Sequence, residues 1–543
     1  MDEIKEQVLL QKEAFTDKMS DEDLLTQIEE WVKESENYYT LLRPIVEQNL
    51  EYYHGIQTDV TSIRGKASRA IENRMFMAVE TMIPIATSRL PDIEVRSGDE
   101  DEQSQMNANE LQDIIGYQME RLNIQAKAEQ FIRDMIIKRY GVFKINWDSD
   151  DVDLIVRDPR KIRIPKFGRT NRDLAFLIEE LEMSYNQLVD KFDKAKAEKV
   201  REENPISDDT EEKNRKATFT ILEVWTNDFV AWKAGSIILD KKPNPFFNFD
   251  GKKKNYFDTP KKPYVIKSLF ETDESMIGDT DYIQQMISIQ DNINTRKRQI
   301  EDVVAKVANT PLLIDSDTMS EEQAANITNE PGLIIYGKNA ADGTKIRFEQ
   351  PGQLPNDVFL DLEGSRSSFD NIWGIHSTTR GEREGKETLG GRQLLKAADL
   401  GRIDLIARQL ERALDEVAGW FAQLIKLFYT EEKSFSIAGE DGTIFINNFT
   451  GERVASNVKL RVMAGSTLPK DEITQRQEAI ELWQLKAIGV RTLYKRLKMS
   501  NVQAAVDDFI ETQSGAIMQP KGVGQQPDLG QGIPSQPPVQ PQV

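Results

Sequence analysis

The chain has 543 residues, 39% of them apolar and 30% charged, enough apolar material for several cores and unlike a fibrous or wholly disordered polypeptide. Cysteine is absent, which excludes disulfides, thiolate metal sites and cysteine nucleophiles and fits a reducing compartment. A formal net charge of −21 makes most of the surface repel phosphate, which disfavours a tight or sequence-reading DNA binder.

The only two histidines, His54 and His376, stand far apart in sequence, so a histidine metal site or a catalytic triad lacks its parts. No apolar run approaches the roughly 18 residues of a membrane span. The opening Met1-Asp2-Glu3 has no basic stretch leading into an apolar one, as a secretion signal would. A soluble structural subunit without catalytic residues, metal or cofactor is expected.

Apolar spacing predicts helix over the first 60 residues, with Leu24, Leu25, Ile28, Trp31 and Val32 on one face and Tyr38, Tyr39, Leu41, Leu42, Val46 and Leu50 beyond. A second helix from Asn73 carries Met75, Val79, Met82 and Ile83, is interrupted at Pro84 and closes by Pro91. After an acidic turn at 98–102, a single helix is expected from Gln103 to Arg139.

Alternation of Phe143, Ile145 and Trp147 with Val142, Lys144 and Asn146 then predicts a strand. It turns at 148–151 into Val152, Leu154 and Val156 and ends at Asp158-Pro159. The acidic turn lacks the glycine and terminal glutamate of a calcium loop. A helical stretch from Leu174 to Glu198, a charged linker at 202–216, and strands at Phe219–Trp225, Val230–Ile238 and Pro263–Leu269 follow. The lysines Lys252, Lys253 and Lys254 read as solvated surface.

The most informative stretch begins at Asp281. No proline or glycine interrupts 281–309, which predicts a helix about 43 Å long. A polar flank of Gln284, Gln285, Gln290, Asn292, Asn294, Arg296, Lys297 and Arg298 lies beside a stripe of Tyr282, Met286, Ile289, Ile293, Ile300, Val304 and Val307. A helix that polar suits packing beside copies of itself better than burial in a monomer's core. Three short strand signals (Leu312–Ile314, Gly332–Tyr336, Ile346–Phe348) surround a small helix at Ser320–Ala325. Pro355 opens another helix, carrying Val358, Leu362, Phe369 and Trp373.

Residues 374–392 hold five glycines and few apolar groups, which predicts a mobile loop. Gly381, Gly385, Lys386 and Thr388 imitate a phosphate-binding loop, but only three residues separate the glycines. Glu387 also occupies the place of magnesium's hydroxyl ligand. Beyond it, Ile403, Ile406, Leu410, Leu414, Val417, Phe421, Leu424 and Phe428 form the seam of a helix running from Gln393 to Thr430.

This order of parts resembles the portal protein of tailed bacteriophages. The resemblance implies an α+β, mainly helical portal fold with wing, stem, clip and small crown, assembling as a ring. It makes 1–280 an N-terminal wing region, 281–309 the first stem helix, 310–354 the clip and 355–373 the second stem helix. It makes 374–392 the tunnel loop, 393–465 the wing helix and wing strands, and 466–511 a small helical crown. Strands at Phe435–Ile437, Thr443–Ile446 and Val458–Val462 would complete the wing, and helices at Asp471–Ile488 and Val502–Glu511 the crown. The tail, 512–543, has six prolines and eight glutamines, the composition of a disordered segment.

The function implied is a dodecameric channel at one capsid vertex for DNA packaging, retention and ejection, in the virion and, during assembly, in the host cytoplasm. The partners implied are double-stranded DNA without sequence specificity, the large terminase, a head–tail adaptor, and the major capsid or scaffolding protein. Tight binding would drag on moving DNA. Arg380, Arg383, Lys386 and Arg392 in the loop are therefore expected to make transient phosphate contacts. Arg296, Lys297 and Arg298 are expected to pair with Asp361, Glu363 or Asp370 of a neighbouring stem helix, or else to line the channel. The rival readings are a helical scaffold or adaptor without a channel and a packaging ATPase, the latter weakened by the failed phosphate loop.

Overall fold

A computed structural model describes residues 19–57, 68–88, 91, 93–148, 150–203, 218–271, 274–308, 312–325, 327, 338, 345–348, 355–375, 389–438, 444–455, 457–462, 472–497 and a few between 505 and 512. Most of the expected linker at 202–216, the strand Gly332–Tyr336, most of the glycine-rich loop and nearly all of the tail lie outside the described residues. The chain divides into two units, Met1–Ile437 with Ile446–Pro469, and Ala438–Phe445 with Lys470–Val543.

In the first unit, the Ser20 side chain accepts the Asp23 amide and starts helix α1 (Asp21–Tyr53). The apolar spacing holds, with Leu24, Ile28, Tyr39, Leu42 and Val46 buried, while Leu41 is exposed. Asn73 caps α2 (Arg74–Ala86) by accepting the Phe76 amide, and the helix continues through Pro84 instead of breaking there.

The long helix expected from Gln103 is two helices, α3 (Glu102–Arg121) and α4 (Ile124–Ile137), preceded by a short strand β1 (Ile93–Arg96) that sequence reading missed. The break has a local cause. Asn123 sits in the left-handed region at φ 49°, which asparagine tolerates better than most residues and which cannot continue a helix.

The strand and turn predictions after Tyr140 hold: β2 (Tyr140–Asp148) pairs antiparallel with β3 (Asp151–Arg157), Phe143 opposite Val156 and Asp148 opposite Asp151. The other edge of β2 takes β9 (Tyr264–Ser268), so β2 is central and buried over most of its length. A second, five-stranded antiparallel sheet runs in order through β4 (Ile162–Arg163), β5 (Leu177–Ser184), β6 (Thr218–Trp225), β7 (Phe229–Ala234) and β8 (Ile237–Pro243). Here the expected helix from Leu174 is corrected: Leu177–Ser184 is strand, and helix begins only at α5 (Tyr185–Lys191) and α6 (Lys194–Glu203). Its glutamates and leucines are good helix formers, but pairing with β6 over eight residues overrides propensity.

The two sheets meet at a buried charge cluster. Lys144 on β2 donates to Glu179 of β5 and to Glu223 of β6, both at 2.6 Å. Tyr264 of β9 donates to Glu179 at 2.7 Å, and the indoles of Trp225 and Trp232 donate to Glu223 at 2.7 and 3.0 Å. Burial would raise the Glu223 carboxyl, but Lys144 and the surrounding donors outweigh it and hold the group at about 2.

Helix α7 (Tyr282–Ala308) follows, then β10 (Leu312–Ile314), the short α8 (Glu321–Ala325) and β11 (Ile346–Phe348), which pairs with β10. Helix α9 (Asn356–Trp373) ends at Gly374, whose φ of 81° stops it. The 40-residue α10 (Leu389–Phe428) starts four residues before the expected Gln393. Its seam is buried from Ile403 to Leu424, and the unforeseen Gln423, wholly buried, accepts the amides of Tyr256 and Phe257 at 2.7 and 2.9 Å. After β12 (Lys433–Ala438) and β13 (Ile444–Phe449), β14 (Lys459–Val462) pairs with β1 from the start of the chain.

The second unit contains helices α11 (Glu472–Gln484) and α12 (Val490–Arg496). The first ends before the expected Ile488, and Lys486 at φ 58° lies in the turn between them. Helix and sheet together make the fold α+β.

Removing Lys144 alone would leave two buried carboxylates facing each other. Lys144→Met is therefore expected to lower unfolding free energy by about 3–5 kcal/mol, read from urea unfolding. Lys161→Met, which breaks only the surface pair with Glu182, should cost about 0–1 kcal/mol.

Candidate functional site

Helices α7 and α9 lie side by side, and the first half of α7 is built into the first unit by polar side chains. Asp281 caps the helix by accepting the Gln284 amide at 2.8 Å while its other oxygen takes Arg139 Nε at 2.8 Å, both residues being buried. Tyr52 of α1 donates to Asp291 at 2.7 Å, and Gln284 donates to Asn49 of α1 at 2.8 Å.

Sequence reading placed Gln290 and Asn294 on a flank too polar for burial in a monomer's core. The structure buries both completely. Spaced four apart, they share one face of α7 and grip the strap 68–73 that leads into α2. Gln290 Oε1 accepts the Arg74 amide at 3.3 Å, and its Nε2 donates to the Glu72 carbonyl at 2.7 Å. Asn294 Oδ1 accepts the Glu72 amide at 3.0 Å, and its Nδ2 donates to Gln57 at 2.8 Å. Further along, Asp302 and Glu301 accept from the Ser68 amide and hydroxyl at 2.5 and 2.6 Å. The signal missed was their i, i+4 spacing on the same face as Met286 and Ile293.

The strap also holds α9. Glu72 takes both a 2.8 Å bond from Arg366 Nε and a second from the same guanidinium. Burial pushes the Glu72 carboxyl up, but Arg366 and Arg74 pull it below its ordinary value. Arg74 reaches Asp370 at 2.6 Å and lies over Phe369 at 5.7 Å. At the end of α9, Trp373 is fully buried, stacked on Phe369 at 5.6 Å and tilted against Tyr282 of α7 at 5.2 Å.

Away from this joint the two helices lose their cover. Val304–Ala308 are exposed at every position, Val304 at 60% and Val307 at 55%, and on α9 Phe359 and Leu360 are 45% and 68% exposed. Leu313 on β10 is also exposed.

The expected stem residues are thus spread along one helix pair. Arg296 Nε donates to Asp361 at 2.6 Å within the chain, and Asn292 donates to the same carboxylate at 3.2 Å, which holds Asp361 below its ordinary value. Arg296 thus meets one of the three expected carboxylates, on the neighbouring stem helix of its own chain. Glu363 pairs with Arg366 at 2.5 Å, Asp370 with Arg74, and Arg298 donates to the Asn294 carbonyl at 3.0 Å. Lys297 has no ion pair among the described residues. Of the loop cations, Arg380, Arg383 and Lys386 lie outside the described residues, and Arg392 falls within the first turn of α10 instead of in a loop.

Among the described residues no group of histidine, aspartate or glutamate side chains is arranged to hold a metal ion, and no helix is long and apolar enough to cross a membrane. Residues 281–512 match the family model of the phage P22-like portal protein. This region is similar to a phage portal protein. The match opens at Asp281, the cap of α7, and the portal resemblance read from the order of elements is borne out over that span. A search of the curated proteins finds no match.

Asn294→Leu would leave the Glu72 amide and the Gln57 side chain without their partner inside the portal region's joint. It is expected to cost about 1–3 kcal/mol and to speed hydrogen exchange at the Glu72 and Arg74 amides ahead of the rest of α2.

Proposed function

We propose that copies of this chain, about twelve, close into a ring whose central channel passes double-stranded DNA during genome packaging, retention and ejection at one capsid vertex. The role is structural. In this reading α7 and α9 are the stem, 310–354 the clip that docks the large terminase and later a head–tail adaptor, and 374–392 the loop facing DNA. The wing and the crown at 466–511 meet the major capsid or scaffolding protein.

The observation that carries the ring is the bare outer half of the helix pair. Val304, Val307, Phe359 and Leu360 are exposed beyond the α7–α9 contact. Two different patches on neighbouring copies that cover one another make a head-to-tail contact, which closes into a ring when the rotation allows. The portal match over the same helices supports the reading. So does the charge: an acidic chain that repels phosphate over most of its surface leaves DNA free to slide, with Arg380, Arg383, Lys386 and Arg392 supplying transient contacts.

Mass measurement and electron microscopy of the purified 62.1 kDa chain should show closed rings of about twelve copies. Val304→Glu with Val307→Glu should shift them to monomers without loss of helical content; monomers from the unaltered chain in the presence of the capsid partners would sink the proposal. Neutralising Arg380, Arg383, Lys386 and Arg392 together should reduce DNA retention in filled heads while leaving rings intact, and unchanged packaging and retention would remove these cations from the mechanism.

A further inference from the structure

Between the β2–β3 hairpin and the five-stranded sheet lies an open cleft of about 1010 Å³. Its floor is the buried cluster of Lys144, Glu179 and Glu223, where every charge already has its partners. Leu181, Met183, Phe246 and Phe428 give it an apolar wall. Of the other lining carboxylates, Glu182 is taken by Lys161 at 2.8 Å, Glu180 by Arg163 at 2.5 Å and Asp158 by Arg160 at 2.8 Å and Lys138 at 3.1 Å, which leaves Asp190.

Two cations at the mouth are placed differently. The ammonium groups of Lys191 and Lys242 stand 5.2 and 4.8 Å from the centre of one ring, Trp232. The carboxylate nearest Lys191 is Glu223 at 3.7 Å, already bonded to Lys144 and to both indoles, and Lys242 has no ion pair among the described residues. Burial depresses the Lys191 ammonium; Glu223 opposes this, while Lys144 and Lys242 add to it. Two like charges beside one indole, each disfavouring the other, are relieved by an anion, and the apolar wall rewards an apolar group carried with it.

We propose that this cleft binds an acidic peptide segment of a partner protein, one carboxylate seating between Lys191 and Lys242 and an adjoining apolar side chain entering against Phe246 and Phe428. The inference stands apart from the ring, since every residue in it belongs to the first unit of a single chain.

The test uses the full chain and a fluorescein-labelled hexapeptide alternating leucine and glutamate, followed by anisotropy, with a leucine–lysine peptide as counterpart. The acidic peptide should bind saturably and the basic one should not. Lys191→Gln with Lys242→Gln should weaken binding about ten-fold or more, whereas Lys194→Gln, an exposed lysine outside the cleft, should not change it. Lys242→Glu alone should reproduce most of the loss. Equal affinity in the double variant would overturn the proposal. So would displacement of the peptide by inorganic phosphate at matched ionic strength, which marks a simple anion site, or a changed oligomeric state of the double variant without peptide binding, which marks a contact between copies.

Discussion

The ammonium of Lys144 is what allows the two sheets of the first unit to share one interior. It sits on the central strand of the three-stranded sheet and bonds to carboxylates from two strands of the other, so neither sheet can shift without breaking a buried ion pair. Such a cluster adds little net stability relative to apolar packing, because the cost of dehydrating the charges is high. Its value lies in direction: tyrosine and tryptophan donors from β9, β6 and β7 aim at the same oxygens, and only one register of the strands satisfies them all.

The same logic, with neutral groups, seats α7. Its inner half is held by capping, by amides and by a tyrosine, and its outer half by α9 and by the bonds of Glu301 and Asp302 to Ser68. The apolar side chains of its last turn are exposed. That asymmetry explains how one helix can look too polar for a core and still be partly buried. The polar residues on its inner side bond to backbone, and the apolar residues on its outer side await other surfaces.

Much of this was legible in the sequence, and the exceptions share a cause. The seam of α10, the hairpin β2–β3 and the helix from Pro355 to Trp373 announce themselves because apolar residues recur at the period of the element. Strand β5 did not, since Leu177–Ser184 mixes glutamate and leucine without alternation and depends on its neighbours for its shape. Strand β1 is four residues long and pairs with a strand near residue 460, a distance that no local pattern reports. The burial of Gln290 and Asn294 was hidden by their polarity, because what decides their place is the backbone they meet. Pro84 misled in the other direction: proline is expected to break a helix, yet α2 carries it through.

The contacts that seat the helix pair consequently differ in their response to ionic strength. At the root, Gln290 and Asn294 are uncharged and sealed from solvent, so dissolved ions leave those bonds untouched. Two residues beyond Asn294 the guanidinium of Arg296 and the exposed Asp361 meet in water, where salt screens their attraction over a Debye length of about 8–10 Å at physiological concentrations. Added salt would therefore weaken that bridge while the amide bonds of Gln290 and Asn294 beside it kept their strength, so that neighbouring turns of one helix are held by contacts of opposite sensitivity.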